Sequence, residues 1–302
     1  MSSTIELGDR LLPENNAQGP VLSWNERIRN QEIYSRTCKR YYKNTVEVSP
    51  SENEEIQACR CGRLKRSHSL EAIPGERLSN DDNHNDIVQV AVCTYGTLTG
   101  LTNDSKFIRC DIDTPAAILY NLIKEDINRQ HYETGPRFII TICGGHKYFT
   151  MSEPHEKEFM NGILDAASDA GAWILTSGMN NGVVKIIGEG FSQYPLLKQM
   201  SDFSKFVLCI GLTKWGCLTE QTRNELKEIS SQSSNPSNNQ ILENFIEDKE
   251  TLEPHHTHFL LLDDGQLNGY LNDTLRTNFV DEFTKDTTTT NGTQVGDTRK
   301  SK

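Results

Sequence analysis

Residues Phe138 to Lys147 read FIITICGGHK: an apolar, β-prone run meets Gly144 and Gly145, then His146 and Lys147. Paired glycines after such a run serve one of two ends. They make a tight turn, since glycine reaches positive φ cheaply, or they let backbone N–H groups approach a phosphate. The pattern recurs twice. AWILTS (172–177) runs into Gly178-Met179-Asn180-Asn181-Gly182, and FVLCIGL (206–212) runs into Thr213-Lys214-Trp215-Gly216. Thr176 and Ser177 offer hydroxyls. Trp215 offers a ring that stacks on a base or plugs the core. Neither G-x-G-x-x-G nor a G-x-x-x-x-G-K-[ST] loop occurs, so phosphate binding and plain turn geometry both stay open.

Other groups point less far. His255, His256 and His258 resemble a metal cluster, but a buried, hydrogen-bonded His258 at the head of a strand is the favoured reading. Cys59, Cys61 and His68, with Cys38, could hold zinc, although C-x-C is tighter than the usual C-x₂-C pair. Asp263-Asp264-Gly265 fits a ribose hydroxyl, a cation or a polar turn, the turn being favoured. The basic island Arg60, Arg63, Lys65 and Arg66 reads as a solvated face or a dock for an acidic partner. No Ser-His-Asp order, H-E-x-x-H or C-x-x-C nominates a nucleophile beside a base, so no catalytic residue is assigned.

The elements that must position these residues alternate strand, glycine loop and helix. Strands are expected at 137–143, 172–177 and 206–212, with helices from about Ser152 to Ala170 and over VVKIIGEGF (183–191). Ser152 suits the first cap and Gly171 the stop. Continuous apolar strands are the mark of a parallel sheet buried on both faces. The fold class is therefore α/β, a three-layer, Rossmann-like arrangement around a mostly parallel sheet. In such sheets ligands bind outside the carboxyl ends of the strands. Before this series, IVQVAVCTYG reads as a strand and turn, with KFIRCDI (106–112) as its hairpin partner, and Thr114-Pro115 starts a helix. After it, HFLLL (258–262) is another buried strand. The organisation expected is a disordered 1–23, a polar leader at 24–86, a compact domain at 87–283 with a flexible insertion at 213–254, and a low-complexity tail at 284–302.

The 302 residues carry a net charge of −11 with a pI near 5.3. That argues against a nucleic-acid partner, whose binding needs basic surface. No apolar run reaches the roughly 20 residues that span a bilayer, and the first residues lack the basic head and apolar centre of a signal peptide. A soluble cytoplasmic chain is expected, with reduced cysteines. Cys93, Cys143 and Cys209 are expected to be buried in strands. The N-x-[ST] matches at Asn103, Asn272 and Asn291 are then chance.

In order, CRCGRLKRSH, TYGTLTG, DTPAAILYNLI, FIITICGGHKYF, GAWILTSGMNNGVVKIIGEG, CIGLTKWG and HHTHFLLLDDG resemble the cytosolic N-terminal, melastatin-homology region of TRPM transient receptor potential channels, over roughly Trp24 to Phe283. The resemblance implies a SLOG-type, Rossmann-like domain and a sensing and assembly module of a tetrameric, often calcium-permeable cation channel, on the cytoplasmic side of its membrane. It implies channel subunits or further copies of the chain as partners, and ADP-ribose or a related nucleotide as ligand. Carried over by motif, the ligand-binding residues are Gly144, Gly145, His146, Lys147, Ser177, Gly178, Asn181, Gly182, Val183 and Trp215. The chain departs from the family at Thr176-Ser177-Gly178, where TGG is usual, and in having a Thr-rich tail where an EGGPGT-like motif and the final strands are expected. A truncated sheet with an open edge is the expectation. The alternative functions are a nucleotide-processing enzyme of the phosphoribohydrolase-like SLOG group, whose PGGxGTxxE motif is missing here, and an assembly-only module.

Overall fold

The computed structural model describes residues 22–31, 33–38, 40–41, 73–74, 87–91, 94–99, 104–127, 135–144, 151–198, 207–232, 251–264 and 270–292. Its strands are β1 (Tyr34–Cys38), β2 (Arg40–Tyr41), β3 (Ile73–Pro74), β4 (Ile87–Ala91), β5 (Thr94–Thr99), β6 (Asp104–Asp111), β7 (Ile139–Thr141), β8 (Trp173–Thr176), β9 (Leu208–Lys214) and β10 (His258–Asp263). Its α-helices are α1 (Trp24–Asn30), α2 (Ala116–Ile127), α3 (Glu153–Ala170), α4 (Gly182–Lys198), α5 (Glu220–Gln232) and α6 (Asp273–Gly292).

Six strands form the main sheet, in the order β5-β6-β10-β9-β8-β7. Every neighbouring pair is parallel except β5–β6. The expected mostly parallel, helix-covered sheet is present. Alternation sends Ile108, Ile210, Leu260 and Leu262 to one face, under α1, α2 and α6. Ile174 and Cys209 face the other side, under α3 and α4. Phe107, Phe259 and Leu261 join that side against α5.

Local signals explain the ends. Ser23 caps α1 with a capping box: its Oγ accepts from the Glu26 amide at 3.2 Å, and its own amide donates to Glu26 Oε2 at 2.6 Å. Gly171 ends α3 in the left-handed region, at φ 59°.

Some expectations change. The hairpin partner of β6 is β5, while β4 pairs with β1 in a separate two-stranded sheet. β7 is a three-residue edge strand, half-buried rather than central, because only β8 flanks it. Cys143, just past β7, is consequently exposed, whereas Cys209 is buried; Cys93 lies outside the described residues. The stretch after 213 holds helix α5, whose apolar stripe is sparse but anchored by the buried Leu226. Helix α6 runs to Gly292, past the start of the supposed tail.

A buried polar knot fastens α1 and α2 to the sheet. His258 heads β10 opposite Lys106 of β6. Its Nε2 lies 3.3 Å from Asp126 Oδ2 of α2, and Lys106 donates to the same oxygen. Trp24 stands edge-on to His258 at 5.6 Å and donates its indole N–H to the Phe107 carbonyl at 3.2 Å. The favoured reading of His258, buried and hydrogen-bonded, is what the structure has.

Burial alone would raise the Asp126 carboxyl, but hydrogen bonds and charge from His258 and Lys106 outweigh it and hold it well below the usual carboxylate range. Burial pushes His258 below its ordinary 6.5, against the pull of Asp126. Both shifts have one sign in stability. The unfolded chain binds the proton more readily, so stability falls as pH drops below about 6.5 through His258, and again below about 3.9 through Asp126. Thermal unfolding from pH 8 to 4 should therefore show a falling Tm, and His258→Gln should flatten the part between pH 7 and 5.

Candidate functional site

β8 stops at Thr176, level with Gly211 of β9 and Phe259 of β10, while those two strands run on to Lys214 and Asp263. The loop after β8 therefore folds back across the sheet. Gly178, at φ +70°, lies directly on Gly211. A Cβ on either would stand 2.7 Å from the other's Cα, with the Phe259 ring within 3.2 Å. From outside, residues 251–253 clasp the loop. The Asn180 amide donates to the Thr251 carbonyl at 2.8 Å, the Glu253 amide donates to the Gly178 carbonyl at 2.9 Å, and Met179 bridges Leu252. The Asn181 carbonyl accepts from the Lys185 amide at 3.2 Å and opens α4.

The sequence-derived residues separate into two groups. Ser177, Asn181 and Gly182 are half-buried at the rim of this loop, where the first amides of α4 lack helical partners. Gly144, at φ +103°, is exposed and has open space around its Cα. Gly178, Val183 and Trp215 are buried. Gly145, His146 and Lys147 lie outside the described residues, as do Cys59, Cys61 and His68. The structure thus gathers Ser177, Gly178, Asn181, Gly182 and Val183 at one loop–helix junction. Trp215 shares an apolar cluster with Met179 of that loop.

Trp215 packs inward, with the Arg109 guanidinium 4.5 Å from its ring centre. Arg109 in turn donates from Nε and Nη2 to Asp263 Oδ2 at 3.0 and 2.6 Å. Lys214 pairs with Asp264 at 2.6 Å. Asp263, the last residue of β10, is thus engaged by Arg109 of β6, and Asp264 by Lys214 at the end of β9. Cys143 receives the Arg276 Nη1 at 3.8 Å, which sets the end of β7 against the start of α6.

On the α2 and α6 face, the ends of β6, β9 and β10 open into a cavity of about 270 Å³. Its floor is apolar, with Leu212, Leu262 and Phe279, and its rim carries Asp113, Thr114 and Asn278. The start of α2 lies on this rim, at the end of a helix where the first backbone amides have no intrahelical acceptor. Sequence reading missed the cavity. The signal was DIDTPAA, an acidic turn and a helix start directly after a strand.

Sequence reading also missed Glu253. This fully buried carboxylate takes His255 Nδ1 at 2.7 Å and His256 Nδ1 at 2.6 Å. Burial would raise its pKa, but the two histidines outweigh that and lower it. Gly188 of α4 leaves the room it needs, since a Cβ there would overlap the carboxylate. The histidine cluster is spent on this carboxylate and on Asp126. Among the described residues no three His, Cys, Asp or Glu side chains are arranged to hold a metal ion.

A family model described as "SLOG in TRPM" matches residues 105–296. A Nematostella vectensis protein, transient receptor potential cation channel subfamily M member-like 2, is 28% identical over 230 residues, covering 70% of this chain and 13% of its own length. The Mus musculus subfamily M member 6 is 28% identical over 269 residues, covering 83% of this chain and 12% of its own. The Mus musculus subfamily M member 1 is 27% identical over 288 residues, covering 89% and 16%. The chain therefore spans only about a sixth or less of the length of these relatives. No helix among the described residues is long and apolar enough to cross a membrane. With a matched span that takes in β6 to α6 and the whole carboxyl edge, the chain belongs to the SLOG-in-TRPM family.

Proposed function

We infer that the chain is a non-enzymatic sensing and assembly module of a TRPM-type cation channel, held on the cytoplasmic side of the membrane. It binds ADP-ribose or a related phosphate-bearing nucleotide at the carboxyl edge of its sheet. One observation carries the reading: β6, β9 and β10 end in a cavity with an apolar floor and the start of α2 on its rim, while on the other face of the sheet half-buried loop residues open α4. An apolar floor suits a base or ribose, and free helix-start amides suit phosphate.

Within this reading the ten sequence-derived residues divide their work. Gly144, Ser177, Asn181 and Gly182 meet the ligand, together with Gly145, His146 and Lys147. Gly178, Val183 and Trp215 hold that surface from behind. Partners are other channel subunits, including copies of this chain in a tetramer.

A nucleotide-processing enzyme is the competing reading. Incubation of the chain with ADP-ribose or AMP, followed by chromatography, separates the two. The expected result is unchanged nucleotide together with a higher Tm. Saturation at 100 times Kd stabilises the folded state by about 2.7 kcal/mol, roughly 5–10 °C for a domain of this size. Turnover above the buffer control would overturn the reading.

A further inference from the structure

Thr176, Glu253 and His256 are all fully buried. They form one chain of hydrogen bonds that ends on the glycine loop. Glu253 Oε2 lies 2.6 Å from His256 Nδ1, His256 Nε2 lies 2.7 Å from Thr176 Oγ1, and the Gly178 amide donates to the same Oγ1 at 2.8 Å. The ends of the chain fix its protons. A carboxylate only accepts, so His256 carries a proton on Nδ1. The Gly178 amide only donates, so Thr176 Oγ1 accepts from it. The Thr176 hydroxyl proton then has an acceptor within this chain only if His256 Nε2 is bare.

The imidazole is held on its other sides as well. Its ring stacks on Phe259 at 5.6 Å and 24°, the same ring that wedges against Gly178 and Gly211. Glu253 is itself fixed by the His255 ring at Oε1 and the His255 amide at Oε2, 2.9 Å away. The residues that clasp the loop through their backbone, 251–253, are continuous with those that supply the relay, 253–256. Backbone clasp and side-chain relay are one unit.

We propose that Glu253, His256 and Thr176 are positioning residues that set the shape of the loop Ser177–Gly182, and through it the rim that faces the ligand. Glu253 selects the Nδ1–H tautomer, His256 aims the Thr176 oxygen, and that oxygen holds the Gly178 amide. None of the three touches ligand. Their importance for binding rests on the function proposed above, but their hold on the loop is measured without any ligand.

Two measurements on the full chain decide the matter. In ¹⁵N-histidine spectra, His256 should be the Nδ1–H tautomer. In amide exchange, Thr176→Val should speed exchange at Gly178 about tenfold, the loss of one buried hydrogen bond, while β9 and β10 amides stay as slow as before. Thr176→Ser should restore the slow rate, because it keeps the oxygen. Glu253→Gln should also speed loop exchange with the strands unchanged. A His256 protonated on Nε2 overturns the proposal, and so does a Thr176→Val loop as protected as the unmodified one. If Thr176→Val does not fold, the tautomer alone decides. A chain that binds no ADP-ribose but shows the Nδ1–H tautomer and the protected loop refutes the proposed function and leaves this positioning role standing.

Discussion

Gly178→Ala should unfold the protein roughly 6–12 °C below the unmodified chain, a loss of about 3 kcal/mol. Two costs add. At φ +70° a side chain is strained in the left-handed region. The new Cβ also stands 2.7 Å from the Gly211 Cα, which is backbone and cannot swing aside. Gly211→Ala meets the same contact from β9, and the Phe259 ring at 2.8 Å, but without the positive-φ strain, so it should cost somewhat less than Gly178→Ala. Gly144→Ala is the control. Its φ is +103°, but nothing lies within 4 Å of its Cβ position, so only the strain of about 1–2 kcal/mol is lost. Differential scanning calorimetry of the three variants checks the order. Equal losses at Gly144 and Gly178 would mean that the glycine loop does not lie on β9.

The second large effect lies between β6 and β10, where Arg109 meets Asp263 at the end of β10. Arg109→Met should cost about 3–5 kcal/mol, because it leaves the Asp263 carboxylate, 3% exposed, without the guanidinium that holds it. The loss extends to Trp215, whose ring the guanidinium covers. Denaturant unfolding followed by tryptophan emission reads both at once. The midpoint falls, and the native emission changes as the Trp215 face loses its cation. Replacing Arg109 and Asp263 together with apolar residues should recover most of the stability, because no buried charge is then left alone. A double variant as unstable as Arg109→Met would contradict this.

Much of the fold was legible because the strongest strands are buried on both faces. Their apolar runs are continuous, and Gly171 marks the stop of α3 as plainly in the sequence as in the structure. The weakest strand misled. Phe138 to Cys143 looks as apolar as the others, yet it lies at the sheet edge, and composition does not say which strand of a parallel set has only one neighbour. Helix α5 was missed because it docks mainly through a few residues around Leu226, while most of its length is polar.

At the site, the spacing of the glycines was readable but their use was not. Gly144 and Gly178 follow strands in the same way. One opens on free space and the other is pressed on Gly211, and that difference arises only when β8 ends three residues short of β9. Glu253 escaped notice for a related reason. An acid beside a run of histidines suggests a surface metal site, and only the packing of 251–256 under α4 turns it into a buried hydrogen-bond relay.

The most direct test is a calorimetric titration of ADP-ribose into the full chain and into Gly144→Val. Nothing lies within 4 Å of a Cβ at Gly144, so the cost of the variant is backbone strain at φ +103°, and its thermal unfolding is read alongside to show that it is folded. Saturable binding by the unmodified chain, weakened at least about tenfold in Gly144→Val, a loss of about 1.4 kcal/mol or more, is the expected result. A folded, unmodified chain that takes up no ADP-ribose, or a Gly144→Val variant that binds as tightly as the original, would contradict a nucleotide site at the carboxyl edge.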